Sequence, residues 1–178
     1  MSCCFYRPRA MPPVADTPGA SAALELLRAA YGTRLKRPGR DPQHSVKVAE
    51  LLFADGASAP VVVAGLLHDV LEDTEVTSDE LRAVCGSEIT RVVEALTEDP
   101  SIAKYRARKA ALRARIVAAG PNVAMVSIAD KLAKLQGVSA APRKRKLRHY
   151  RATLDTMEQH YGPTDLSRQL ARELARFA

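Results

Sequence analysis

Residues 60–74, PVVVAGLLHDVLEDT, decide how this chain folds. From Val61 to Leu67 the stretch is apolar nearly all round, and it then runs into His68, Asp69, Glu72 and Asp73. A helix without a polar face belongs in the middle of a bundle. The pattern predicts one buried helix over 61–73 whose end carries imidazole and carboxylate groups. Val61-Val62-Val63 is β-branched, which leaves a strand as the minor alternative for the first turn.

Outward from this helix, apolar residues keep a helical period from residue 20 on. A helix is expected over 20–31, with Leu24, Leu27 and Tyr31 on one stripe and Gly32 as its stop. A second follows Pro42, shows Val48, Leu51 and Leu52 on one side, and ends near Gly56. Thr77 and Glu80 have capping-box spacing for a short helix that stops at Gly86. Another starts after Ser87 and turns Ile89, Val92, Val93 and Leu96 inward. A loop around Pro100 spans 97–104, and helices are expected over 105–118, 123–135, 144–161 and 164–177. In the helix over 144–161, Leu147, Tyr150, Leu154, Met157 and Tyr161 form one inward stripe. The fold class is all-α, with a single helical-bundle domain over 20–178 and a disordered tail over 1–19.

Composition narrows the function classes. The chain has 178 residues, 47% hydrophobic and 26% charged, a globular balance that excludes a wholly disordered protein. Its net charge of +7 favours an anionic partner. The three cysteines, adjacent Cys3 and Cys4 with a distant Cys85, write no disulfide framework and fit a reducing, cytoplasmic location. No apolar run is long enough to span a membrane. The opening MSCCFYRPRAMPPVADTPG lacks the apolar core of a secretory signal.

Several polar residues are forced inward by the pattern. His44 lies one turn before Val48 on an apolar stripe. His68 and Asp69 interrupt an apolar helix, and Asp130 sits one turn past Val126 in VAMVSIADKLAKL. Burying two imidazoles and two carboxylates without partners would cost on the order of several kcal/mol each. A divalent metal satisfies all four, and the mixed nitrogen and oxygen set suits Mn, Fe or Zn better than Ca or Mg. A lone buried histidine is more often a core residue, and a His-Asp pair alone says little. The ordered set on three predicted helices is what points to a metal. Glu72 stands one turn past His68 and Asp73 one turn past Asp69, so both carboxylates rise beside the proposed ion, where either can move a proton.

His44, LLHDVLEDT at 66–74 and IADKL at 128–132 together resemble the HD-domain metal-dependent phosphohydrolases. The chain is most similar to the hydrolase half of the Rel/Spo-homologue family, which degrades ppGpp and pppGpp. That family's pattern reads H, then L-L-H-D-x-x-E-D-T, then L-A-D-(K/R)-L. The likeness covers most of residues 22–160, and without a synthetase or regulatory region the chain looks like the small stand-alone alarmone hydrolases, including metazoan ones. The resemblance implies an HD-type helical bundle in which His44, His68, Asp69 and Asp130 hold one Mn²⁺, or Fe or Zn. It implies Glu72 and Asp73 as catalytic acids, and release of the 3′-pyrophosphate to leave GDP or GTP. Lys36 and Arg37 of the basic loop, Lys104 and Tyr150 are the implied substrate contacts. After ADKL the chain departs from the pattern, with Ala133 and Lys134 where the family has His or Tyr and then a substrate-contacting Asn. Lys134 is then a candidate phosphate contact.

The implied partner is a guanosine alarmone, with an alarmone synthetase as functional counterpart. Alternatives keep the chemistry on an adenine alarmone or the NADPH 2′-phosphate, or make the chain an antitoxin-like protein that neutralises an alarmone or a synthetase. RKRKLRHYR (143–151) reads as a solvated helix face. Arg106, Arg108, Lys109, Arg113 and Arg115 crowd the helix over 105–118 as a candidate phosphate-binding wall. Nucleic acid is disfavoured, because Trp is absent and only three Phe occur for stacking.

Overall fold

Helix follows helix through the described residues, which are 14–36 and 38–177 of this computed structural model. They are α1 (Ala20–Thr33), α2 (Gln43–Ala54), α3 (Ala59–Leu67), α4 (Val70–Asp73), α5 (Ser78–Leu96), α6 (Tyr105–Ala119), α7 (Pro121–Leu135), α8 (Lys144–Tyr161) and α9 (Asp165–Ala175). Among the described residues there is no strand, only an isolated antiparallel bridge between Leu35 and Thr74. The all-α expectation holds. No helix here is long and apolar enough to cross a membrane.

The apolar stretch lies where its composition puts it. Every residue from Val61 to Leu67 is buried, and α3 packs on α1, α2, α5 and α7. α7 is the second internal rod, with its face from Val123 to Leu135 turned into the core. α2 rests on both, which requires close approach at Gly65. A Cβ at Gly65 would stand 2.5 Å from Leu52 Cδ1 and 3.5 Å from Ala49 Cα. Leu147, Tyr150, Leu154 and Met157 of α8 are buried as their stripe predicts, with Tyr161 half-buried.

Three expectations change in detail. The single helix over 61–73 is two, because α3 ends at Leu67 and α4 begins at Val70. His68 Nδ1 donates to the Gly65 carbonyl at 2.8 Å. That carbonyl is the acceptor Asp69 N–H would use in an uninterrupted helix, so the ring competes with the backbone and the helix breaks. The two helices expected on either side of Gly86 are present within α5, where Gly86 at φ 81 and ψ 169 leaves the helical region and separates them. Its capping box is present, with Glu80 N–H donating to Thr77 Oγ1 and Thr77 N–H to Glu80 Oε2. α1 passes through Gly32 to Thr33. The tail boundary moves as well, since Val14–Asp16 form a 3₁₀ turn and Val14 packs into the core, an apolar anchor the proline-rich context obscured. The rest of that expected tail, 1–13, lies outside the described residues.

Candidate functional site

Three rods bring the inward polar residues to one place. α2 supplies His44, the break after α3 supplies His68 and Asp69, and α7 supplies Asp130. Each offers one donor atom, and all four atoms lie within 4.8 Å of one another. His44 Nε2 is 2.9 Å from Asp130 Oδ1, and the two imidazole centroids are 5.3 Å apart.

His68 tests whether a metal fits. Its ring is 4% exposed. Because Nδ1 donates to a carbonyl, which can only accept, Nδ1 carries the proton and Nε2 presents a lone pair. That Nε2 is buried without a hydrogen bond, although Asp69 Oδ2 (3.2 Å) and Asp130 Oδ1 (3.4 Å) stand close by. An orphaned imidazole nitrogen facing two carboxylates is the donor set of a divalent ion. The electrostatics agree. Burial opposes charge on the ring, yet Asp69 and Asp130 raise its pKa to about 10, so the field demands positive charge at that point.

The chain's own cations gather there too. Lys131 Nζ donates to Asp130 Oδ2 at 3.0 Å and to Ser127 Oγ at 3.1 Å. Lys134 Nζ stands 2.5 Å from Asp130 Oδ1 and 3.9 Å from Asp69 Oδ2. Burial pushes the Asp130 carboxyl up, but Lys134 and Lys131 hold it well below the usual range. For Asp69, burial is outweighed in the same way by His68 and Lys134.

Glu72 and Asp73 line a cavity of ≈ 520 Å³ together with Lys36, Arg40, Glu98 and Arg108. Glu72 Oε1 accepts the Glu98 N–H at 2.5 Å. Asp73 has both oxygens taken, Oδ1 by Arg40 Nε at 3.0 Å and Oδ2 by the Tyr31 hydroxyl, which donates at 3.2 Å. Burial first, and Asp69 after it, raise the pKa of both carboxyls. The cations are held by the backbone: Lys36 N–H donates to Asp73 O and Glu75 N–H to Arg34 O, each at 2.8 Å. This bridge clamps the basic loop beside the two acids. Across the cavity, Arg108 Nε donates to Glu98 Oε2 at 2.6 Å, and Lys109 pairs with the same carboxylate.

The expected substrate contacts fare unevenly. Lys36 lines the cavity, with Nζ donating to the Leu71 carbonyl at 2.7 Å. Arg37 lies outside the described residues. Lys104 is exposed at the N-cap of α6 and does not line the cavity; Arg108, one turn further on, does. Lys134 sits among the metal-site carboxylates, and Tyr150 is packed in the core rather than against the cavity. Arg108 belongs to the candidate phosphate-binding wall of the helix over 105–118 and does line this cavity, whereas Arg40, Tyr31 and Glu98 carry no such mark in the sequence. Arg40 was visible in the basic loop, whereas Tyr31 looked like one more apolar stripe residue.

A family profile described as HD domain matches residues 23–158. Human guanosine-3′,5′-bis(diphosphate) 3′-pyrophosphohydrolase MESH1 is 32% identical over 130 residues, covering 67% of this chain and 72% of that protein. A probable GTP pyrophosphokinase of Mycobacterium leprae is 29% identical over 150 residues, 82% of this chain but 19% of that longer protein. Among solved structures, a metazoan ortholog of SpoT that hydrolyses ppGpp superposes with a TM-score of 0.71, over 97% of this chain and 98% of the other. At 19% identity that likeness is one of fold.

Proposed function

The chain belongs to the HD-domain family, and from that membership and its polar core we propose a metal-dependent phosphohydrolase acting on guanosine alarmones. It converts (p)ppGpp and water into GDP or GTP and pyrophosphate, the 3′-pyrophosphate being the group released. Mn²⁺ is the ion we propose, with Fe or Zn as alternatives, because two imidazoles and two carboxylates form the mixed set these metals accept. His44, His68, Asp69 and Asp130 would hold it, and a bound ion supplies Lewis acidity toward a phosphoryl group. One observation carries the reading: Glu72 and Asp73 extend from the ligand cluster into a cavity that also receives Lys36, Arg40 and Arg108.

The two acids take different parts. Glu72 has one oxygen fixed by the Glu98 N–H and one without a hydrogen bond among the described residues. That free oxygen takes the proton from the attacking water, and burial moves its pKa toward the working pH of a general base. Asp73, bonded through both oxygens, orients Arg40 instead. Arg40, Lys36 and Arg108 neutralise charge that builds on the phosphate oxygens. We place this chemistry in the cytosol, opposite an alarmone synthetase, where the free Cys85 thiol stays reduced.

Turnover of ppGpp, an adenine alarmone and NADPH, followed side by side by ion-exchange chromatography with added Mn²⁺, tests this. GDP and pyrophosphate are expected from ppGpp, and Glu72→Gln should lower kcat by about 10²- to 10⁴-fold. Phosphate loss from NADPH alone would overturn the assignment.

A further inference from the structure

A second cavity, of ≈ 300 Å³, lies between α6 and α8 and shares no lining residue with the one beside Glu72 and Asp73. Arg106, Lys109 and Arg113 enter it from α6, and Arg145, Arg148 and His149 from α8; no carboxylate lines it. Among the described residues Arg106, Arg113, Arg145 and Arg148 form no ion pair, whereas Arg108 and Lys109 of the same helix α6 are tied to Glu98. The Tyr105 ring draws the cations together, with the Arg145 guanidinium 5.1 Å and Lys109 Nζ 5.7 Å from its centroid. Like charges gathered this way, without an acid between them, repel one another until an anion enters.

His149 is the second observation. It is 7% exposed and forms part of the cavity wall. Its Nδ1 stands 3.3 Å from Arg113 Nη1 and 3.4 Å from Thr153 Oγ1. The other ring nitrogen, Nε2, makes no hydrogen bond to protein among the described residues. Burial, then Lys131, Lys109 and Arg113, push its pKa down to about 2, which keeps the ring neutral at ordinary pH.

We propose that this groove binds the polyphosphate chain of a free nucleotide, at a site separate from the catalytic cavity. A confined volume at the lower end of small-molecule sites suits a short polyphosphate better than the extended track a duplex needs. The groove would hold such an anion whether or not the metal centre hydrolyses an alarmone.

Calorimetric titration of the full chain with inorganic tripolyphosphate and with GTP, at low ionic strength and without divalent ion, reads the site. Two classes of site are expected. Arg106→Glu/Arg148→Glu replaces two exposed residues and should weaken one class by about tenfold or more. Arg145→Gln should weaken the same class by a smaller factor, and Lys36→Ala/Arg40→Ala should leave it intact. A single class, lost in Lys36→Ala/Arg40→Ala and unchanged in the groove variants, overturns the proposal. Tripolyphosphate binding without GTP binding overturns the nucleotide as its source. A DNA duplex retained through Arg106 and Arg148, with no tripolyphosphate bound, overturns it in favour of a nucleic-acid face.

Discussion

Lys134 places an ammonium among the four donors that could hold a metal, 2.5 Å from Asp130 Oδ1. Burial works against its charge, but Asp130 and Asp69 raise its pKa above the ordinary lysine value, so it stays protonated. A fixed positive charge at a ligand oxygen competes with an ion for the same lone pairs. Lys134→Asn is therefore expected to tighten Mn²⁺ binding by about tenfold, as measured by calorimetric titration of the metal-free protein. Weaker binding in that variant would mean that the lysine holds the carboxylates in position for the ion. The four candidate ligands were legible in the sequence because each interrupts or adjoins an apolar stripe. The partners of Asp73 were not. Tyr31 belongs to a different helix, and only the fold turns its hydroxyl onto the carboxylate.

At the scale of elements, the site depends on how closely α2 approaches α3, since one carries His44 and the other ends just before His68. Gly65 permits that approach. Even an alanine methyl would stand 2.5 Å from Leu52 Cδ1, so its gain of about 1 kcal/mol in helix propensity comes only with displacement of that buried side chain, and a larger one must displace Val48 as well. Gly65→Val should lower stability by about 1–3 kcal/mol in urea unfolding and weaken metal binding along with it. Unchanged stability would mean that Leu52 repacks freely. Helix existence and most boundaries followed from periodicity and from Gly, Pro and capping signals. The break between α3 and α4 did not, because residues 61–73 satisfy a helical period throughout. A ring reaching back to its own helix's carbonyl causes the break, and period carries no record of it.

For the whole molecule, the candidate metal site joins three rods that otherwise meet through apolar packing, so an ion bound there would stabilise the entire fold. At about a hundredfold excess over its dissociation constant, the ion should add about 2.7 kcal/mol, a rise in Tm of roughly 5–10 °C for a chain of this size. Differential scanning calorimetry with and without Mn²⁺ reads this shift, and His68→Ala should abolish it. An equal shift in His68→Ala would place the ion elsewhere. The sequence alone determined the helical class, the central place of 60–74 and the candidate ligands, since all of these rest on local period and on the cost of burying polar groups. Only the tertiary structure decided which cations meet which acids. Arg40 reaches Asp73, Arg108 reaches Glu98, and Arg106 and Arg113 of the same helix as Arg108 enter a different cavity. The reason is physical: a long charged side chain takes its partner from whatever packing brings near, and that distance is set by the crossing of helices far apart in the chain.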